Sequence, residues 1–254
     1  MMEAFYFDQS GNQIFAIYHP GSKDEGFVIC YPAPQDMLRA HSSQVLLAKK
    51  LQSLGFPVLR FDYSGTGDSS GEIVSLRHWR EDTLHAVAVF KKRSGVQKVS
   101  LIGTRLGATI AILASQDLGF KRLILWDPVV NGINLLEQYR HAHHMMLHRV
   151  PVEAPFPKNQ VYPNQSCGFP WPLQIQQDLA ELTVQSLTSF CKHITIVSDQ
   201  TDAEYNSLIE LWRLDGKTVT ADDSGDPMRW GQDRYMILRA LPAATLRLLT
   251  KIAE

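Results

Sequence analysis

Val99-Ser100-Leu101-Ile102-Gly103-Thr104-Arg105-Leu106-Gly107-Ala108-Thr109-Ile110-Ala111-Ile112-Leu113 is the stretch whose reading decides the fold. Val99–Ile102 reads as a buried strand and Leu106–Ser115 as an alanine-rich helix. Between them, Gly103 and Gly107 bracket Arg105. A strand turning sharply into a helix brings two backbones too close for a Cβ on either side, and glycine removes that Cβ.

Outward from this turn the same alternation recurs. Phe5–Phe7 and Gln13–Tyr18 flank Asp8-Gln9-Ser10-Gly11-Asn12 and read as a hairpin. Phe27–Tyr31, closed by Pro32, reads as a buried strand. His41–Leu54 carries Leu47, Leu51 and Leu54 at helical spacing, with Gly55 as its stop. Val58–Tyr63 is the next strand. Leu76, Trp79, Thr83, Val87 and Phe90 form a helical stripe ended by Gly95, and Leu123–Trp126 is another strand. Strands alternating with helices imply an α/β class with a mostly parallel central sheet. From Asn131 to Phe190 the rhythm breaks into a histidine-rich helix and a Pro-rich run, Pro151 to Pro172, which reads as a cap inserted at 131–190 of a single domain spanning 1–254. The rhythm resumes at Ile194–Val197, a helix through Leu208 and Leu211, and Thr218–Thr220. Pro242 then opens a last helix with Leu246, Leu249 and Ile252 inward.

The bulk numbers exclude several classes. The chain has 254 residues, 44% hydrophobic and 20% charged, which suits one large globular domain. A net charge of −1 gives no footprint for nucleic acid or an anionic membrane. No apolar run is long enough to span a membrane. Cys30, Cys167 and Cys191 lack metal-ligand spacing, and their odd number argues against a disulfide framework, so a cytoplasmic location is expected. No cofactor motif is present: Gly65-Thr66-Gly67-Asp68 lacks the Lys-Ser/Thr ending of a P-loop.

Gly103-Thr104-Arg105-Leu106-Gly107 has the strand–turn–helix context of the G-x-S-x-G nucleophile elbow, with arginine at the centre. Arginine stays protonated and offers no nucleophile. Phe27–Tyr31 with Pro32-Ala33-Pro34 resembles the strand and oxyanion loop of the α/β hydrolases. Arg60-Phe61-Asp62-Tyr63-Ser64-Gly65-Thr66-Gly67-Asp68-Ser69 resembles their D-x-x-G-x-G-x-S loop. Gly103–Thr109, Leu123–Gly132 and Gly168–Leu182 are similar to segments of the exosortase-A-system-associated hydrolase 2 group. The resemblance covers most of the chain. It implies an α/β-hydrolase fold with helices on both faces of the sheet, a serine-aminopeptidase-like relationship, and a bacterial polysaccharide setting.

In this fold the chain order is nucleophile, acid, histidine. The acid position after Ile194–Val197 offers Asp202 and Asp199. The histidine position falls near Trp230, and no histidine follows His193. Two triad members are therefore missing, and a triad acts as a unit. Two roles are open to Arg105. It can pair with Asp202 or Asp127 as a structural clasp. Alternatively, it can seat a carboxylate, phosphate or sulfate at the helix start, helped by the amides of Leu106 and Ala33.

Other candidates carry plainer readings. His141, His144 and His148 share a helical face with His143 alongside: a metal site or relocated base, or a polar surface. Ser42 or Ser43 reads as a helix cap, Ser64 as a turn residue, Asp62 as a loop organiser and Cys30 as packing. Asp127 and Trp230 are candidate ligand contacts. Phe169, Trp171 and Trp230 line either a pocket or the core.

Three functions follow. The first is a non-hydrolytic binder of a small acyl or anionic molecule, or an accessory protein of biosynthesis. The second is an active hydrolase or acyltransferase-like enzyme with a non-standard site built on Asp127, Asp202, Arg105 or the histidines. The third is a scaffold module with a protein partner, a homodimer included.

Overall fold

A computed structural model describes residues 2–149, 163–198 and 203–222. An eight-stranded sheet organises them. Along the chain its members are β1 (Glu3–Gln9), β2 (Asn12–His19), β3 (Glu25–Cys30), β4 (Val58–Phe61), β5 (Lys98–Thr104), β6 (Leu123–Trp126), β9 (His193–Val197) and β10 (Thr218–Asp222). Their spatial order is β1-β2-β4-β3-β5-β6-β9-β10. β1 and β2 form an antiparallel hairpin, β2 pairs antiparallel with β4, and the remaining pairs are parallel. β3 to β6 carry buried residues almost throughout, as strands covered on both faces require.

From β3 the chain runs through α1 (Pro34–Ser53) to β4 on one side, then through α2 (Leu76–Ser94) to β5 on the other. Strand order thus reverses between β3 and β5. In open α/β sheets the crevice at the carboxyl ends of such strands is where ligands sit. α3 (Leu106–Ala114) leaves the end of β5 at that point.

Two expectations need correction. The first hairpin turn is tighter than read: only Ser10 and Gly11 separate the strands, with φ of 54° and 85°. α1 begins at Pro34, seven residues before the expected start at His41. Proline suits a first helical turn because its missing N–H has no intrahelical acceptor there. Ser42 and Ser43 therefore lie inside the helix and cap nothing.

Between the neighbouring strands β6 and β9 stand α4 (Gly132–Arg149), a small hairpin of β7 (Gln165–Ser166) and β8 (Phe169–Pro170), α5 (Leu173–Ala180) and a short 3-10 turn (Val184–Ser186). Trp171 is buried there with its ring 5.0 Å from that of Tyr139. Of the two readings for Trp171, the core one fits. α6 (Ala203–Leu214) joins β9 to β10. The Pro151–Tyr162 part of the Pro-rich run and the expected last helix lie outside the described residues.

Candidate functional site at the β5–α3 turn

Backbone geometry comes first. Arg105 caps α3 with φ 53° and ψ −123°, a conformation that L-residues rarely adopt. The surroundings hold it there. Its N–H donates to the Trp126 carbonyl at 2.8 Å, and its carbonyl accepts from the Ala108 N–H at 2.9 Å. The glycines are needed for the reason the sequence suggested. A Cβ on Gly107 would stand 2.2 Å from the Tyr31 carbonyl oxygen, and one on Gly103 would stand 2.4 Å from the Ala108 Cα. Gly107 therefore lets α3 begin directly against the end of β3.

The side chain of Arg105 is almost wholly buried. Its Nη2 donates to Gln138 Oε1 of α4 at 2.8 Å, and its Nε lies 3.5 Å from Asp36 Oδ2. The two charged side chains are 5% and 4% exposed. Tyr139, next along α4, donates its hydroxyl to the same Asp36 Oδ2 at 2.8 Å. Burial pushes that hydroxyl well above the usual tyrosine range, and the Asp36 charge adds to it. Asp36 sits in the first turn of α1, where the helix dipole favours a negative charge.

The acid facing Arg105 among the described residues is thus Asp36, not Asp127. Asp127 has a φ of 46°. Its N–H donates to the Val197 carbonyl, and its Oδ1 accepts from Ser198 Oγ at 2.5 Å. The left-handed turn at the tip of β6 directs its carboxylate toward β9, and its successors Pro128 to Asn131 line the adjoining cleft in its place. Asp199, Asp202 and Trp230 lie outside the described residues.

That cleft has a volume of about 70 Å3. Arg105, Val130 and Asn131 line it together with Asn134, Leu135 and Gln138 of α4 and Glu204 of α6. Asn131 Nδ2 donates to Glu204 Oε1 at 2.8 Å, while Asn131 Oδ1 accepts from the Asn134 N–H at 3.1 Å. Ala33 and Leu106, the two expected amide donors, each stand at a helix start. Ala33 is the N-cap of α1, and Leu106 is the first residue of α3, where an N–H has no intrahelical acceptor.

Asp36, Gln138 and Glu204 escaped the sequence reading. Asp36 had a signal, a carboxylate two residues after a helix-opening proline. Gln138 and Glu204 had none, because only the packing of α4 and α6 places them here.

The remaining candidates sort as follows. His141, His144 and His148 are exposed, with the rings of His144 and His148 4.1 Å apart. Among the described residues no three His, Cys, Asp or Glu side chains form a group able to hold a metal ion. His143 turns inward: its Nδ1 accepts from the Cys167 N–H at 2.9 Å, and burial lowers its pKa. Ser64 is a turn residue whose hydroxyl donates to Asp82 at 3.2 Å. Asp62 organises its loop, accepting from the Asp68 N–H at 3.0 Å. Cys30 is fully buried.

Comparisons agree with this architecture. The family described as serine aminopeptidase, S33, matches residues 40–185. The lysophosphatidylserine lipase ABHD12 of Gallus gallus is 37% identical over 109 residues, 41% of this chain and 28% of that protein. A monoglyceride lipase homolog of Monkeypox virus is 31% identical over 147 residues, 54% of this chain and 47% of that protein. The chain thus spans less than half the length of these curated relatives. Among solved structures, Est1E from Butyrivibrio proteoclasticus with bound ferulic acid superposes with a TM-score of 0.61 at 17% identity, covering 99% of this chain and 100% of that one. A Pyrococcus furiosus esterase gives 0.66 at 12% identity, covering 99% and 88%. These two likenesses show the fold. With more than half of its residues matched by the family description, the chain belongs to the serine aminopeptidase S33 family of α/β hydrolases.

Proposed function

We propose that this protein is a non-hydrolysing member of its family that retains a cleft for a small polar molecule beside a disarmed elbow. The observation that carries the reading is the Arg105 guanidinium, buried at the centre of the Gly103–Gly107 turn and engaged by Asp36 and Gln138. At that position the fold presents its attacking oxygen, and arginine can neither attack nor give up its proton. The clasp reading of Arg105 gains over the anion seat, because Asp36 already meets its charge and Glu204 adds a carboxylate to the cleft. A volume of about 70 Å3 suits a handful of water-sized groups, far less than the several hundred Å3 of ordinary ligand pockets. The reading includes a single domain with the 131–190 segment as its cap, a cytoplasmic location, and a relationship to the exosortase-associated group.

The test is a fluorophosphonate probe, with turnover of p-nitrophenyl butyrate and a monoacylglycerol read in parallel. No labelling and no turnover are expected. A labelled serine sinks the reading. The names of the relatives, lipases in each case, favour one second reading: an ester hydrolase with a non-standard site. Monoacylglycerol turnover that disappears in Arg105→Ala would establish it instead.

A further inference from the structure

α4 is fastened in two different ways. On one side it belongs to a packed unit with α5 and the β7–β8 hairpin. A Cβ on Gly132 would stand 1.9 Å from the Leu179 carbonyl oxygen, and the Tyr139 ring lies against Trp171. Ser166 Oγ donates to the Tyr139 carbonyl at 2.8 Å. The far parts of this unit are tied to the sheet body well away from the elbow. Asp178 of α5 accepts from the Leu76 N–H at the start of α2 at 2.8 Å, and Trp212 Nε1 donates to the Leu187 carbonyl at 2.8 Å. Leu135, Leu136 and Tyr139 join α4 to the hydrophobic core, and on the elbow side a polar fastening is added. Gln138 and Tyr139, consecutive on α4, take hold of Arg105 and Asp36, which come from two different strand–helix joints of the sheet.

We infer that Arg105 and Asp36 form a latch that holds α4 closed across the elbow and thereby sets the width of the cleft. Asn134, Leu135 and Gln138 of α4 line that cleft together with Arg105, so the Gln138–Arg105 bond ties α4 to the elbow within the lining. A segment held in part by buried polar contacts opens locally, at lower cost than the global fold, once those contacts are removed. Removing Arg105 takes the facing guanidinium from the buried Asp36 carboxylate, which is the change that would release α4. The inference goes beyond the non-hydrolysing reading and would stand even if that reading failed.

Hydrogen exchange read peptide by peptide tests it. Arg105→Ala, Tyr139→Phe and Gln138→Ala are compared with the wild type, and Lys98→Ala, which breaks the exposed Lys98–Asp24 pair, serves as control. Exchange within 135–147 should rise about tenfold or more in Arg105→Ala and Tyr139→Phe, with β3 and β5 unchanged and the control like wild type. Unchanged α4 exchange in both variants overturns the latch. So does an equal rise in α4, β3 and β5, which would mean general support of the fold. If Arg105→Ala does not fold, Tyr139→Phe and Gln138→Ala still decide the matter, because both leave the ion pair in place. The fluorophosphonate result is independent of this outcome, so the two ideas fail separately.

Discussion

Arg105 Nε and Asp36 Oδ2 face each other at 3.5 Å, joining the turn after β5 to the helix after β3 across the point where strand order reverses. Both groups are nearly dry, so the charge of each acts strongly on the other. Such a pair need not stabilise the fold relative to an apolar replacement, but half of it is costly to leave behind.

Asp36→Ala should therefore destabilise the protein by about 3–5 kcal/mol in urea unfolding, because the buried guanidinium loses the Asp36 carboxylate. The double variant Arg105→Leu with Asp36→Leu should be much closer to wild type. A single variant costing under about 1 kcal/mol would show that the charge is compensated elsewhere.

His19 is fully buried and should remain neutral in the native state. Its Nε2 accepts from Arg60 Nε at 3.2 Å, which places the ring proton on Nδ1, facing Gln52 Oε1 at 3.3 Å. Burial lowers its pKa below 6.5, with the Arg60 and Lys49 charges acting in the same direction against the Gln52 bond. The unfolded chain then binds a proton that the native state refuses. Stability from this group is present above about pH 6.5 and is lost as pH falls toward the native pKa. Denaturant titrations across that window should show a shallower loss on acidification in His19→Gln than in wild type. Nitrogen chemical shifts of the imidazole should report the Nδ1–H form, and a charged ring at neutral pH would contradict the network.

The three thiols should separate cleanly in a reagent titration. Cys30 is buried, and burial pushes its thiol up to about 12. Cys191 is buried and raised for the same reason. Cys167 is half-exposed on the turn between β7 and β8. Native protein should react with about one equivalent of a thiol-specific disulfide reagent, at Cys167, and the unfolded chain with all three cysteines. Fast reaction at Cys30 would mean that the β3 region opens readily.

The alternation of strand and helix was legible because its signals are local. Apolar runs with period, glycine stops at Gly55 and Gly95, and the paired glycines around Arg105 each act over a few residues. The start of α1 differs from the expected one because Pro34, read as part of the loop Pro32-Ala33-Pro34, also opens the helix. The pairing of Asp36 with Arg105 was not legible for another reason. Asp127 follows a strand beside the elbow, whereas Asp36 enters from the joint after β3, sixty-nine positions before Arg105.

Chain chemistry alone determined that an arginine occupies the centre of a glycine-bracketed strand–helix turn and that no imidazole follows His193. Both are matters of residue identity in order. Which acid meets that arginine, which helix lies over it and how little space remains beside it were decided by tertiary packing. Those contacts link residues far apart in sequence, and nothing local to any of them encodes the distance at which they meet.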